Sequence, residues 1–390
     1  MNTSSNLETS ANKKLHVVHI ASGDLWAGAE VQLYTLCKTL HKMPEIKVSV
    51  ILLNHGALEG KLHEQNIHVK VLDEIKLSSA RIFIELIKAL KQSKPDIVHT
   101  HRNKENILGS FAAKIAGNIP SLRTVHGASE HRPSIKKPHK YLLYLLDWLT
   151  ARYLQSTIIA VSEELKTQLT KSYPENKIEV IENGVDIEAL ACYVKKQAPD
   201  TPCNKKPYKV GLVGRLVPVK RVDVFIKTAK HIKIHHPELS IRFHIYGDGP
   251  LLNELKQLCN ELAVNDIVQF EGHCDDIHIQ IASLDALLIT SDHEGLPMTL
   301  LEAMTLGTPV IAHAVGGITN ACQKGTSCWL VKQNTPELLS QKLNDCLSSK
   351  EQRRIITNMA IQQINQKYAT KNNAKSYTAL YSNTIKEKND

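Results

Sequence analysis

The chain has 390 residues, 42% of them hydrophobic and 22% charged, with a formal charge of +9 at neutral pH. That length exceeds one comfortable core and implies two domains of ordinary size, and the composition excludes a disordered chain. The positive charge favours anionic partners, whereas an aromatic content of 5% argues against a base-stacking surface, so no nucleic-acid partner is expected.

The opening stretch, MNTSSNLETSANKK, is polar and lacks the apolar segment of a signal peptide, so residues 1–14 read as disordered. No segment approaches the roughly 20 apolar residues of a spanning helix. The eight cysteines are scattered without a Cys-x-x-Cys pair, which reads as reduced cytosolic thiols rather than a disulfide framework or zinc ribbon. These features predict a cytoplasmic protein, soluble or peripheral on a membrane.

Along the chain, short apolar runs alternate with amphipathic stretches, the pattern of parallel βαβ units. LHVVHIA (15–21) reads as a strand, followed by the loop SGDLWAGA and a helix from about Glu30 to His41. Further strands are expected at 48–53, 68–72, 96–101, 121–127 and 157–162, with a helix over 81–92 closed by Pro95. Residues 192–207, with three prolines and four lysines, break the pattern and mark a linker, placed at 191–208. A second series then begins, with strands at 209–214, 241–247, 266–272, 286–290, 308–313 and 328–332, and a charged helical tail from about Pro336.

Two segments of this second series carry chemistry. In SDHEGLPMTLLEAMTLGTPVIAH (291–313), Pro297 suits a first helical turn, Gly307 a helix C-terminal cap, and Pro309 stops the helix. Glu294 then precedes the helix and Glu302 lies one turn inside it. Such a pair can reach two parts of one extended nucleotide sugar, while the backbone near Leu296, Pro297 and Met298 faces its diphosphate at the positive end of the helix. The plain alternative is a solvated helix with two surface acids. In VGLVGRLVPVKRVD (210–223), Gly214, Arg215 and Lys220 follow a strand and precede a helix, where open α/β sheets bind phosphates. Fixed cations there stabilise a departing diphosphate more than a bound one. The alternative is a basic surface loop.

Together these segments resemble glycosyltransferase family 4, retaining enzymes of the GT-B fold. The resemblance runs through AGAE (27–30), VHTH (98–101), TVHG (124–127), AVSEEL (160–165), ENGVD (182–186), VGRLVPVK (213–220), YGDGP (246–250), EGLPMTLLEAM (294–304) and VGG (315–317). It implies an α/β fold of two Rossmann-like domains facing a central cleft: an acceptor-side domain over 15–190, a nucleotide-sugar domain over 209–370, and a C-terminal helix over 371–390 returning to the first. It implies that Arg215 and Lys220 hold the donor diphosphate, that Glu294 contacts the donor sugar and Glu302 the ribose, with Gly214, Gly295 and Leu296 among the donor-binding residues. His126 is implied beside the transferred sugar, and Gly28 against the phosphates from the N-terminal side. No cofactor or metal is implied. His99 and His101 share one strand face as a possible metal pair without an evident third ligand, and 273–278, with His273, Cys274, Asp275, Asp276 and His278, reads as a turn.

Departures from the family pattern are Ala27 before Gly28, Arg221 in place of a glycine after the lysine, Thr319-Asn320 in place of Pro-Glu, and Cys328 in place of a glycine. The expected function is transfer of a hexose or N-acetylhexosamine, with a UDP-sugar as first choice of donor, to a glycan or lipid-linked acceptor in cell-surface polysaccharide or lipopolysaccharide synthesis. A scaffold subunit that keeps the donor fold is the runner-up. A nicotinamide enzyme ranks low because YGDGP offers only Gly-x-Gly. The basic segment 131–140, with Arg132, Lys136, Lys137 and Lys140, leads into an apolar helix and suits an anionic membrane or the acceptor.

Overall fold

The computed structural model describes residues 14–127, 138–194 and 207–389. The expected disordered N-terminus, most of the linker and the basic loop fall outside these residues.

The first sheet holds seven strands: β1 (Leu15–Ala21), β2 (Ile46–Leu52), β3 (His68–Val71), β4 (Ile97–Thr100), β5 (Ser121–Val125), β6 (Gln155–Ala160) and β7 (Ile178–Val180), in the order β3-β2-β1-β4-β5-β6-β7. The second holds six: β8 (Tyr208–Val213), β9 (Ile241–Tyr246), β10 (Val268–Gly272), β11 (Ala286–Ile289), β12 (Val310–His313) and β13 (Trp329–Val331), in the order β10-β9-β8-β11-β12-β13. Every pairing is parallel. Helices cover both faces, so the central strands are buried on both sides and read as continuous apolar runs rather than alternating ones. β1 is buried from His16 to Ala21.

The strand missing from the sequence reading is β7, three residues long with an exposed middle residue, too short to announce itself by pattern. In the opposite sense, the helix expected over 81–92 extends over Ser79–Ser93, with the Ser78 hydroxyl capping the Arg81 amide.

The chain passes between the halves twice. The C-terminal helix Thr370–Asn389 returns to the first sheet, where Tyr377 and Tyr381 are buried with Leu33, Leu36 and Leu40 of the helix Gly28–His41. At this return the Val185 amide donates to the Tyr368 carbonyl (2.8 Å) and the Thr370 amide to the Val185 carbonyl (2.9 Å). Gly184 is needed there, because an added Cβ would meet Thr370 Cα at 2.8 Å.

One expectation is corrected. Cys322 and Cys328 form a disulfide, with Cα atoms 5.4 Å apart. Six residues of separation suffice because Lys324 (φ 55°) and Gly325 (φ 104°) reverse the chain between them. The bond ties the end of the helix Gly317–Ala321 to the start of β13.

Candidate active site

In each sheet the strand order reverses once, between β1 and β4 and between β8 and β11. Connections leave such a point on opposite sides, so a crevice opens beyond the carboxyl ends of the strands. His126 follows β5, the 214–220 loop follows β8, and the 292–297 loop follows β11.

The 214–220 loop is braced by YGDGP. The Leu216 amide donates to the Asp248 carbonyl (2.9 Å), and a Cβ on Gly247 would run into the Gly214 carbonyl. The two glycines of that Gly-x-Gly therefore serve close backbone packing. Arg215 is exposed and takes part in no ion pair among the described residues. Lys220 is held from behind, since the Thr290 hydroxyl donates to its carbonyl (2.9 Å) and the Asp292 amide to the Val219 carbonyl (2.9 Å). Its Nζ lies 2.6 Å from Glu294 Oε1. Arg221 adopts a left-handed backbone (φ 48°) and pairs with Asp223 (2.9 Å) and Asp292 (3.1 Å). The family glycine is thus replaced by a residue whose side chain pins the loop to the next one.

The helix Met298–Thr305 begins behind Pro297 and ends at Gly307 (φ 70°), with the Thr308 amide donating to the Ala303 carbonyl (2.9 Å). Glu294 lies before it and Glu302 is buried within it, with His278 Nε2 3.4 Å from Glu302 Oε1. His278 belongs to the helix Ile277–Ser283, beside the Tyr193 ring at 5.7 Å. The sequence reading left it in a turn without a role. Ile277 and Ile281, an i, i+4 apolar pair, were the available helical signal.

His126 is half-buried, in line with two deeper histidines of the first half. Its Nε2 shares a hydrogen bond with His101 Nδ1 (3.3 Å), and His101 Nε2 shares another with His19 Nδ1 (3.0 Å). Burial first, and the Arg102 charge second, hold the His126 ring down to about 4, so it is neutral at physiological pH. The structure supplies the third histidine that the sequence did not: His19, His99 and His101 bring ligand atoms within 4.8 Å of one another. His19 Nε2 is closed to solvent and has no partner among the described residues, whereas both nitrogens of His99 are engaged. His99 reaches the Tyr381 hydroxyl (2.7 Å) and the Thr124 hydroxyl (2.8 Å).

The halves touch at the candidate site. A Cβ on Gly295 would run into the His126 carbonyl and meet Val161 Cγ2 at 2.7 Å, and one on Gly316 would run into the Glu294 carbonyl. Asn183 Nδ2 donates to the carbonyl of buried Leu296 (2.8 Å). Gly28 opens its helix behind Ala27, and a Cβ there would meet nothing within 4 Å, so space rather than packing surrounds it. Of the sequence candidates, Lys220 and Glu294 are in direct contact, as are Gly295 and His126; Gly214 lies beside the Lys220 stem; Arg215 and Gly28 face open space.

Two family models match consecutive parts of the chain, Glycosyltransferase Family 4 over residues 26–189 and Glycosyl transferases group 1 over residues 194–363. The chain belongs to glycosyltransferase family 4. Among curated relatives it is 32% identical over 249 residues to UDP-Gal:alpha-D-GlcNAc-diphosphoundecaprenol alpha-1,3-galactosyltransferase of Escherichia coli, a match over 62% of this chain and 63% of that protein. It is 25% identical over 306 residues to N-acetyl-alpha-D-glucosaminyl L-malate synthase of Bacillus anthracis, covering 75% of this chain and 76% of the relative. Among solved structures, HepE of Anabaena with UDP-glucose superposes with a TM-score of 0.79 over 94% of this family member and 99% of that chain, at 20% identity. The likeness confirms the GT-B fold.

Proposed function

We propose that this chain is a retaining, metal-independent glycosyltransferase that moves a hexose or N-acetylhexosamine from a UDP-sugar to a glycan or lipid-linked acceptor in cell-surface polysaccharide or lipopolysaccharide synthesis. The observation that carries the reading is the convergence of Lys220 and Glu294, 2.6 Å apart, at the switch point of the second sheet, with His126 closing on Gly295 from the first. Two cations, Arg215 and Lys220, face the place where a diphosphate gains charge as its bond to the sugar breaks, which supplies without a metal the stabilisation that leaving group requires. The acceptor hydroxyl attacks from the leaving-group side. Its oxygen bonds to the anomeric carbon, the carbon–phosphate-oxygen bond breaks, and the proton passes to the departing phosphate oxygen. Glu294 holds the sugar and Glu302 the ribose. UDP is favoured because HepE was solved with UDP-glucose and the E. coli relative is named for UDP-Gal.

No helix among the described residues is long and apolar enough to cross a membrane. The helix Pro138–Tyr153 exposes Leu142, Leu143 and Leu145, and the sequence preceding it is basic, which supports peripheral contact with the inner membrane face. A panel of nucleotide sugars, each tested for donor hydrolysis with and without a chelator, decides the donor and the metal. Release of UDP from one UDP-sugar, undiminished by chelator, is the expected result; turnover of none of the panel overturns the reading.

A further inference from the structure

Glu302 stands one turn inside the helix Met298–Thr305, and its side chain is only 7% exposed. Its carboxylate is nevertheless open to a ligand. Among the described residues neither oxygen accepts a hydrogen bond, and neither is closed to solvent. A carboxylate so enclosed is costly unless a donor faces it. Among the described residues the one basic group within ion-pair reach is His278, whose Nε2 lies 3.4 Å from Glu302 Oε1.

The histidine is presented by an anchored element. Its helix, Ile277–Ser283, is tied to the end of the helix that carries Glu302, because the Thr308 hydroxyl donates to the Ile281 carbonyl (2.8 Å). On the other side the Tyr193 ring packs against His278 with centroids 5.7 Å apart and planes at 43°, within the range of favourable aromatic pairs. The imidazole is therefore steadied against Glu302 without being tightly bonded to it, since 3.4 Å exceeds the usual N–H···O length of about 2.7–3.2 Å. The contrast with Lys220 and Glu294 is direct. That pair, at 2.6 Å, has to come apart when a ligand arrives, whereas His278 leaves the carboxylate its capacity to accept. An ionised carboxylate offers about four lone-pair sites, enough for one imidazole and two ligand hydroxyls.

We infer that His278 is a positioning residue for the nucleotide: it faces Oε1 of Glu302 and aims the carboxylate at the 2′- and 3′-hydroxyls of the ribose. The inference rests on the reading that Glu302 holds the ribose, and adds to it the group that orients that side chain. A glutamate has three rotatable bonds, and one that is already oriented loses less freedom when its ligand binds. The gain is therefore in affinity for nucleotides that carry a ribose, through preorganisation rather than through a contact of His278 with the ligand. Tyr193 lies where the chain leaves the first half, so the ribose contact and that crossing share one support.

Calorimetry with UDP and with 2′,3′-dideoxy-UDP reads the ribose contact by difference, and the corresponding GDP pair repeats it if the protein binds GDP instead. Wild type is expected to prefer UDP to its dideoxy form. His278→Phe keeps a ring against Tyr193 and removes the nitrogen. It should weaken UDP by about five- to tenfold, the scale of one neutral hydrogen bond, and leave dideoxy-UDP unchanged. His278→Gln returns an N–H to the site and should restore UDP binding to within about threefold of wild type. His278→Phe combined with Glu302→Ala should bind UDP no worse than Glu302→Ala alone, because the histidine acts through the glutamate. With a nucleotide sugar that is turned over, the loss in His278→Phe should appear in KM rather than kcat. Equal losses for UDP and its dideoxy form in His278→Phe would mark a general structural role and overturn the inference, as would no loss for either. Wild type that binds the two forms alike would unseat Glu302 from the ribose and take this inference down with that reading; a wild-type preference that His278→Phe leaves intact takes down the inference alone. If the phenylalanine variant does not fold, His278→Asn, whose amide stops short of Glu302, is expected to show the same selective loss and decides by the same comparison.

Discussion

Lys220 Nζ lies 2.6 Å from Glu294 Oε1, so the cation assigned to the diphosphate and the carboxylate assigned to the sugar neutralise each other in the protein without ligand. Donor binding has to exchange this partner for phosphate oxygens. Glu294→Ala releases Lys220 beforehand. Free nucleoside diphosphate is then expected to bind at least as tightly as to wild type, while the nucleotide sugar loses about tenfold or more because its hydroxyls lose an acceptor. Calorimetry with both ligands checks this, and a matched loss for the two would show that Glu294 serves the nucleotide rather than the sugar.

Removing the cations acts on turnover. Lys220→Ala and Arg215→Ala should each lower kcat by about 10²-fold or more, the cost of deleting one charge-stabilising donor. Arg215 has no ion pair to lose among the described residues, so its variant should keep wild-type thermal stability. Wild-type kcat in both at saturating donor would remove the loop from the mechanism.

Arg221 sits in the left-handed region at φ 48°, where glycine costs nothing and a β-branched residue is strained. Arg221→Gly gains about 1 kcal/mol of backbone relief and loses exposed ion pairs worth about 0–1 kcal/mol, so chemical denaturation should show little net change. Arg221→Val keeps the strain, loses the pairs, and should destabilise by roughly 1–2 kcal/mol.

How much of this was legible depended on the range of the signal. Strand–helix alternation, the Pro297–Gly307 frame of the helix and the cation spacing in 215–220 are local, so Lys220 and Glu294 stand out in the sequence alone. The contact of His19 with His101 was hidden because they lie 82 residues apart and meet only through the β1–β4 register, in which His19 is opposite His99. The Cys322–Cys328 bond was hidden for a different reason: Lys324 is a non-glycine residue with positive φ, and no turn motif announces it.

The buried histidines also set an acid limit. His19, His99 and His101 have depressed values in the fold and ordinary ones near 6.5 when unfolded, so the unfolded chain binds more protons between those values. Their stabilisation is complete above pH 6.5 and falls as the pH drops towards the folded values. At pH 5 the His19 ring, held down to about 3 by burial, costs about 2 kcal/mol relative to neutral pH, and His99 and His101 act in the same direction. Thermal unfolding followed from pH 7.5 to 5 should show a steep fall in Tm, flatter in His99→Asn by the share of one proton. A slope unchanged in that variant would count against a neutral His99.

Closure of the cleft gives the last prediction, and Gly295 is its fulcrum. The second half meets the first where Gly295 passes the His126 carbonyl and Val161, and Asn183 fastens the same loop through the Leu296 carbonyl at 2.8 Å. Paired backbone at Val185 and Thr370 joins the two crossings, so rotation about them opens or shuts this contact without breaking either sheet. Shutting it brings the His126 side to the Lys220 side and excludes water, which competes with the acceptor for the activated sugar. In wild type, saturating nucleoside diphosphate should lower the radius of gyration in small-angle scattering and protect residues 213–220 from hydrogen exchange. Gly295→Ala puts a methyl where the carbonyl of His126 must come. It should keep the protection of 213–220, which belongs to the second half, yet abolish the compaction and cut turnover about 10²-fold, as a misplacement of about 1 Å does. Asn183→Ala removes one fastening without a clash and should lose turnover by about tenfold at most, the worth of a single hydrogen bond. Compaction and turnover at wild-type levels in Gly295→Ala would mean that the halves do not close at this contact during transfer.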